Sequence, residues 1–140
     1  MAEYIGLQYP LEKTPRGLMA QNRGIDQVKA DLLQLLLTNP GERIMLPNFG
    51  TPLRELFFEP NDSILEIEAE RMISESIQAW EPRIEVKDIT VTSKFSKNDL
   101  SSEDSDDDRE SILGIKIEFY DPINITQVEM LVLELPFGGN

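Results

Sequence analysis

The side chains of this chain that could perform acid–base chemistry are carboxylates, because its 140 residues include neither histidine nor cysteine. That composition excludes Ser–His triads, thiolate nucleophiles, and metal sites built from imidazole or thiolate. The chemistry that remains is hydrolysis by two carboxylates, one acting as the acid and the other as base or nucleophile. Four glutamates in the turn-rich part of the chain are candidates for such a pair: Glu42, Glu55, Glu59 and Glu81.

The sequence favours a simpler role for these glutamates, as solvated or ion-paired groups. Acidic residues are abundant, with 26 Asp and Glu against 13 Lys and Arg, so glutamates in turns need no special explanation. No glycine-rich phosphate-binding loop is present either. The sequence therefore predicts no catalytic residue, no cofactor and no metal site.

The net charge of −13 restricts the partners that the chain can have. Such a surface repels phosphate backbones, so nucleic-acid binding is not expected. Part of the acidity lies in residues 99–110, which we interpret as a solvated, mobile loop because the run lacks the glycine and distal glutamate of an EF-hand. No apolar run is long enough to cross a membrane and the first residues lack a signal-peptide pattern, so neither membrane binding nor export is expected.

Two segments have the periodicity of amphipathic helices, with apolar residues three and four positions apart. The first covers residues 25–38, and the second runs from residues 61–62 to about Trp80. Residues 1–23 show no sustained period and contain prolines and glycines, which predicts an irregular N-terminal arm.

The chain changes from helical to extended character at residues 80–84. Pro82 cannot continue a helix, and it restricts Glu81 to extended geometry. Glu81 and Arg83 flank this proline, and the single tryptophan, Trp80, precedes them. The charged pair is either a salt bridge that braces the fold or a contact with a partner, and the sequence leaves both interpretations open.

Three strand-like runs follow this joint. The apolar pattern of the first changes phase at Lys87–Asp88, which predicts a β-bulge. The second, residues 113–119, alternates strictly, and the third, residues 125–135, becomes apolar on both faces. As the last strand of a meander, the third would lie at a sheet edge, where an apolar strand needs a cover. Residues 136–140 are predicted to form a flexible tail.

This order of elements predicts a single α+β domain over residues 1–140. Two main helices would pack as one layer on a three- to four-stranded, mainly antiparallel sheet. The segment between the helices, residues 41–60, combines turn-forming residues with large apolar side chains. Such a segment is either folded over the core or offered to a partner.

Six short segments, in this order and spacing, form a specific pattern: Tyr9-Pro10-Leu11, Leu36-Leu37-Thr38, Gly41-Glu42-Arg43, Pro47-Asn48-Phe49-Gly50, Leu56-Phe57-Phe58-Glu59-Pro60 and Trp80-Glu81-Pro82-Arg83-Ile84. The pattern resembles the W-type baseplate assembly proteins of contractile-tailed phages, also called baseplate wedge or sheath-initiator proteins, with relatives in type VI and other contractile injection systems. The resemblance covers residues 9–135. It implies a structural, non-enzymatic protein of the virion's tail baseplate, assembled in the host cytoplasm.

The resemblance also implies partners: wedge subunits near the central hub, hub- or tube-proximal proteins, and a sheath protein whose first ring the chain templates by strand addition. The residues expected at the wedge are Trp80, Glu81, Pro82, Arg83, Glu42, Arg43, Phe49, Phe57 and Phe58. Those expected to receive the sheath strand are Met130, Leu131, Val132, Leu133 and Leu135. Some relatives have been called acidic lysozymes, so the alternative function is a peptidoglycan hydrolase that uses two of Glu42, Glu59 and Glu81.

Overall fold

The computed structural model of the chain describes residues 4–58, 63–95 and 111–137. The elements, in chain order, are β1 (Ile5–Leu7), β2 (Gln21–Arg23), α1 (Ile25–Leu37), a 3-10 helix (Leu53–Phe58), α2 (Ser63–Trp80), β3 (Glu85–Phe95), β4 (Ser111–Tyr120) and β5 (Val128–Phe137). Strands β3, β4 and β5 form one antiparallel sheet with β4 in the middle, and β1 and β2 form a separate antiparallel pair. The predicted α+β class is confirmed.

The two helices occupy the segments that the apolar periodicity predicted. α1 ends at Leu37 because Thr38 takes extended geometry, with ψ at 128°, two residues before Pro40. α2 ends at Trp80, two residues before Pro82, as the proline requires. In the described part of the chain, no helix is both long and apolar enough to span a bilayer.

The core lies between the helix layer and the inner face of the sheet. β4 supplies its centre, with four alternate side chains that are 1% exposed or less: Leu113, Ile115, Ile117 and Phe119. Buried aliphatic side chains of α1 and α2 cover them: Val28, Leu32, Leu35, Leu36, Leu65, Ala69, Ile73 and Ile77. Removing this apolar surface from water is the main source of stability.

A β-bulge interrupts β3 where the sequence predicted one. The register with β4 shifts between Val86 and Asp88, so Lys87 has no partner residue across the sheet. The extra residue lets Val86 and Ile89, three positions apart, both pack against the core.

The N-terminal segment is more regular than the predicted irregular arm of residues 1–23. It contains β1 and β2, which pair from Ile5↔Arg23 to Leu7↔Gln21. The sequence of β2, Gln-Asn-Arg, has no apolar alternation. Periodicity therefore could not reveal this strand.

The last strand lies further along the chain than predicted. β5 begins at Val128 because the preceding residues form a turn, in which the N–H of Asp121 donates to the carbonyl of Gln127 at 3.0 Å. It continues to Phe137, two residues into the predicted tail of residues 136–140. Residues 138–140 and the predicted acidic loop of residues 99–110 lie outside the described residues.

Candidate partner-binding sites

Arg83 is held by two carboxylates of its own chain, an arrangement that we call the brace. Its Nε and Nη2 atoms donate to the two carboxylate oxygens of Glu81, and Nη2 also donates to Oδ2 of Asp31 at 2.7 Å. The side chain of Glu81 is 8% exposed and that of Arg83 is 31% exposed. A planar guanidinium can make two parallel bonds to one carboxylate, which an ammonium group cannot. The charged pair at the joint is therefore an intramolecular contact.

The backbone turn at the joint explains why these two side chains meet. The N–H of Glu81 donates to the carbonyl of Ile77 at 2.8 Å and completes the last turn of α2. The N–H of Ile84 then donates to the carbonyl of Glu81 at 3.4 Å, which closes a four-residue turn with Pro82 in its second position. The fixed φ of proline suits that position. Pro82 itself is exposed, while Glu81 is buried beside it.

The surroundings of Arg83 favour its charged form. Hydrogen bonding to Glu81 raises the pKa of Arg83 well above its ordinary value; partial burial opposes this rise, and the hydrogen bond to Asp31 adds to it. Glu81 depends on this charge in turn, because a buried carboxylate that loses its partner costs about 3–5 kcal/mol. Solvent screening at the partly exposed Arg83 places the effect toward the lower end of that range.

The brace connects elements that are distant in the sequence. Asp31 belongs to α1, 52 positions before Arg83, and its Oδ1 atom accepts a hydrogen bond from Nε2 of Gln27 at 2.7 Å. The guanidinium carbon of Arg83 lies 4.8 Å from the ring centre of Tyr4, within range of a cation–π interaction. Asp31 and Tyr4 were not among the residues predicted for this site. A carboxylate beside the buried apolar residues of α1 was the available signal for Asp31.

A second cluster, which we call the stack, lies next to the brace. The rings of Phe49 and Trp80 meet edge to face with centroids 5.3 Å apart, and the guanidinium carbon of Arg43 lies 4.1 Å from the ring centre of Phe49. Such edge-to-face pairs stabilise by about 0.5–1.5 kcal/mol beyond the burial of their area. A cleft of about 170 Å³ is lined by the stack and by Asp31 and Glu81 of the brace. The structure thus brings five of the predicted wedge residues to adjoining positions: Arg43, Phe49, Trp80, Glu81 and Arg83.

The loop before the 3-10 helix is fixed at both of its ends. Gly50 has a φ of 126°, and a Cβ atom there would lie 2.3 Å from the carbonyl oxygen of Thr38, so the position requires glycine. At the other end, Oε2 of Glu42 accepts the N–H of Asn39 at 3.1 Å, and Oε1 lies 3.3 Å from Nη1 of Arg54. Glu42, a predicted wedge residue, therefore has a role within the loop.

Large apolar side chains project from this region into solvent. Ile44 is 95% exposed, and Met45 and Phe58 are each 93% exposed. Isolated exposed apolar residues are ordinary, but two consecutive ones at a loop tip are a feature of docking surfaces. The side chain of Phe57 lies outside the described residues, so its wedge role stays a prediction.

β5 divides its five predicted sheath-binding residues between two faces. Leu131 is buried, and Leu133 and Leu135 pack against the core. Met130 and Val132 lie on the opposite face and are 52% and 58% exposed. Side chains of a strand alternate between faces, so these two are the members of the set whose side chains a partner can reach in the folded chain.

The outer edge of β5 is open. β5 pairs with β4 along one side, and within residues 4–58, 63–95 and 111–137 no strand pairs with its other side. A salt bridge of 2.7 Å from Lys29 of α1 to Glu129 fixes the beginning of the strand. An ordered edge of this kind presents main-chain N–H and C=O groups to any strand that approaches it.

Two of the four glutamates that were candidates for hydrolysis are engaged in other contacts, and a third, Glu55, is exposed. Both carboxylate oxygens of Glu81 accept hydrogen bonds from Arg83, and Glu42 pairs with Arg54. Glu59 lies outside the described residues. Across the described ranges, no cluster of acidic side chains has the arrangement of a metal site.

Comparison with known proteins assigns the family. The family model described as "Baseplate wedge protein gp25" matches residues 22–119, well over half of the chain. The chain belongs to the baseplate wedge protein gp25 family. The resemblance stated from the sequence is thereby confirmed, and the protein is a wedge-type baseplate protein of contractile injection systems. Among curated protein sequences, none matches it significantly.

Solved structures share the fold. A chain in the six-fold symmetrised cryo-EM structure of the anti-feeding prophage baseplate is 26% identical, with a TM-score of 0.66 and 86% of each chain covered. A crystal structure of a Geobacter sulfurreducens protein, provisionally named a tail lysozyme, is 23% identical, with a TM-score of 0.64. That match covers 82% of this chain and 92% of the other, and it shows the likeness of fold alone.

Proposed function

We propose that this protein starts the sheath of a contractile tail. It binds wedge subunits near the hub through the region around the stack and the loop tip, and it accepts a strand of the sheath protein at β5. The observation that carries this proposal is the open edge of β5, whose outer face exposes the apolar side chains of Met130 and Val132. The proposal also rests on membership of the family.

Strand addition suits β5 for two physical reasons. Its unpaired N–H and C=O groups would gain main-chain hydrogen bonds from an extended segment, which is the basis of β-augmentation. The half-exposed Met130 and Val132 would lose water contact beneath the side chains of the added strand. The inner leucines keep β5 in place during this process, because they remain in the core.

The sheath step is tested by Met130→Lys combined with Val132→Lys. Charged side chains on an edge strand oppose strand addition, and both positions face solvent, so the fold should persist. We expect baseplates with this variant to form but to carry no sheath in negative-stain electron micrographs. The matched control is Thr90→Lys with Thr92→Lys, on the exposed residues of β3. Sheath assembly at wild-type levels on the β5 variant would overturn the proposal.

The wedge contact uses surfaces that the brace and the stack hold in place. Pro82, Arg43 and Phe58 are exposed, and the loop tip at Ile44 and Met45 adds the apolar area that a docking surface needs. In this proposal the brace shapes the surface, because its charges are already paired within the chain.

We propose no enzymatic role for this protein. The engagement of Glu81 with Arg83 and of Glu42 with Arg54 is the observation against hydrolysis. The measurement is the turbidity of a peptidoglycan suspension with purified protein, and we expect no clearing above a heat-inactivated control. Clearing that is lost in Glu81→Gln would support the hydrolase instead.

A further inference from the structure

The edge of the sheet opposite β5 is occupied by side chains of α2. The main-chain N–H of Ser93 in β3 donates to Oε1 of Glu66 at 2.8 Å, and its hydroxyl donates to the same oxygen at 3.0 Å. Two residues earlier, the N–H of Val91 donates to Oε1 of Glu70 at 3.4 Å. Residues two apart in a strand direct their N–H groups to the same side. These two donors are therefore the ones that a neighbouring strand would use.

The rise per residue along α2 and along β3 places successive glutamates beside successive outward N–H groups. Four residues of an α-helix advance about 6 Å, and two residues of a strand advance about 6.8 Å. Glu66 and Glu70 are separated by one such helical step, and Val91 and Ser93 by one such strand step. The earlier glutamate binds the later strand residue, so α2 runs antiparallel to β3 and supplies acceptors where a strand would supply carbonyl groups.

The beginning of the β3 edge is irregular. The bulge between Val86 and Asp88 breaks the repeat of donors and acceptors before the protected segment begins. β5 lacks both features: its pairing with β4 is continuous from Val128 to Phe137, and within the described residues no side chain hydrogen-bonds to its main chain. The two edges of one sheet thus differ in their capacity to accept a strand.

We propose that Glu66 and Glu70 close the β3 edge to strand addition, so that the sheet can be extended at β5 alone. This inference rests on the proposed function and specifies which edge of the sheet accepts the strand. A β5 edge that meets another β5 edge makes a symmetric contact that ends at a dimer. A β5 edge that meets an open β3 edge makes a head-to-tail contact, which repeats into fibres. Closing β3 prevents the protein from polymerising with itself in place of the sheath protein.

The test opens the β3 edge in the whole protein and measures its mass in the absence of sheath protein. Glu66→Ala with Glu70→Ala removes both acceptors. Sedimentation velocity should then show species above two protomers whose mass rises with concentration, while the wild type stays at two protomers or fewer. Glu66→Gln with Glu70→Gln retains an acceptor oxygen at each position and should behave as the wild type. Glu68→Ala with Glu75→Ala removes the same charge from residues that contact Arg71 and should do the same.

A further variant separates edge-to-edge assembly from aggregation of unfolded chains. Adding Met130→Lys and Val132→Lys to the alanine pair should return the mass to two protomers or fewer, because fibres need both edges. The single variant Glu66→Ala removes the acceptor of the Ser93 N–H alone and should assemble to a smaller extent. It serves as the test if the double alanine variant does not fold. The proposal is overturned if the folded alanine variants stay at two protomers or fewer, or if blocking β5 leaves their assembly unchanged. A failure of sheath nucleation at β5 would be seen separately, in electron micrographs of baseplates with the β5 variant alone.

Discussion

The joint at residues 80–84 and the segment of residues 41–58 differ in which side chains they bury. At the joint, the charged Glu81 and Arg83 turn inward and pair with each other and with Asp31. In the loop and the short helix after it, apolar side chains turn outward, and Met45 and Phe58 are almost fully exposed. Residue type alone predicts the opposite, with charged side chains exposed and apolar side chains buried.

Within the predicted wedge interface, the joint thus contributes to folding of the isolated chain and the loop tip to binding of a partner. A buried charge must be paired in the isolated chain, because leaving it unpaired costs several kcal/mol. An exposed apolar side chain costs the isolated chain little and gains when a partner covers it. Changes at the joint should therefore lower the stability of the protein, whereas changes at the loop tip should lower its affinity for the wedge.

Replacing Arg83 should have the largest effect on stability. Arg83→Met leaves the carboxylate of Glu81 buried without a cation, and we expect the free energy of unfolding to fall by about 3 kcal/mol. Arg83→Lys should lose less but should not be neutral, because an ammonium group cannot bond both oxygens of Glu81 and reach Asp31 as well. Urea unfolding followed by circular dichroism measures both.

A double variant sharpens this expectation. Glu81→Gln with Arg83→Met removes both charges of the pair, so it should be more stable than the sum of the two single losses implies. Additive losses would mean that the two residues stabilise the protein independently, and the contrast between the joint and the loop would then lose its basis.

The brace also marks the limit of what local sequence could predict. α1, α2, the alternation of β4 and the bulge near Lys87 follow from periods of 3.6 and 2 residues, which are legible within a single segment. The partnership of Arg83 with Asp31 spans 52 positions, and no local pattern carries it. Sequence left open whether the charged pair faced the fold or a partner, since both outcomes use the same residues. The packing of α1 against the joint decides this for the isolated chain.

Replacing Asp31 should have a smaller effect. Asp31→Asn removes one charge from the brace but leaves the bonds between Glu81 and Arg83, so we expect a loss of about 1 kcal/mol. Because Asp31 is partly exposed, water can take over some of its role. The exposed Glu12→Gln serves as the control for loss of one negative charge. Equal losses in the two variants would show that Asp31 is not part of the brace energetically.

Changes in the loop should leave stability almost untouched. Met45→Ser and Phe58→Ser alter side chains that make little contact with the fold, so the free energy of unfolding should move by less than about 0.5 kcal/mol. Binding to purified wedge subunits, measured by biolayer interferometry, should weaken at least tenfold when both are combined, a change of about 1.4 kcal/mol. Ile125→Ser, at an apolar position in the β4–β5 turn that is 71% exposed, is the matched control. If the control weakens wedge binding as much as the loop variants do, the loop tip is not the docking surface.

The smallest effect should come from a charged cluster whose lysines, unlike Glu81 of the brace, are well exposed to water. On the outer face of the sheet, Glu118 pairs with Lys116 at 2.6 Å and with Lys87 at 3.3 Å. The hydrogen bond from Lys116, followed by that from Lys87, lowers the pKa of Glu118 below its ordinary 4.5. A depressed pKa in the folded state stabilises the protein above the unfolded value, and that contribution is lost as the pH falls through the folded value. In Lys116→Met, an NMR titration should show the pKa of Glu118 returning toward 4.5, with a slight change in acid stability. An unchanged pKa would mean that Lys116 is too mobile in solvent to stabilise the carboxylate of Glu118. The outer face of the sheet would then lack the lasting ion pair that the brace has.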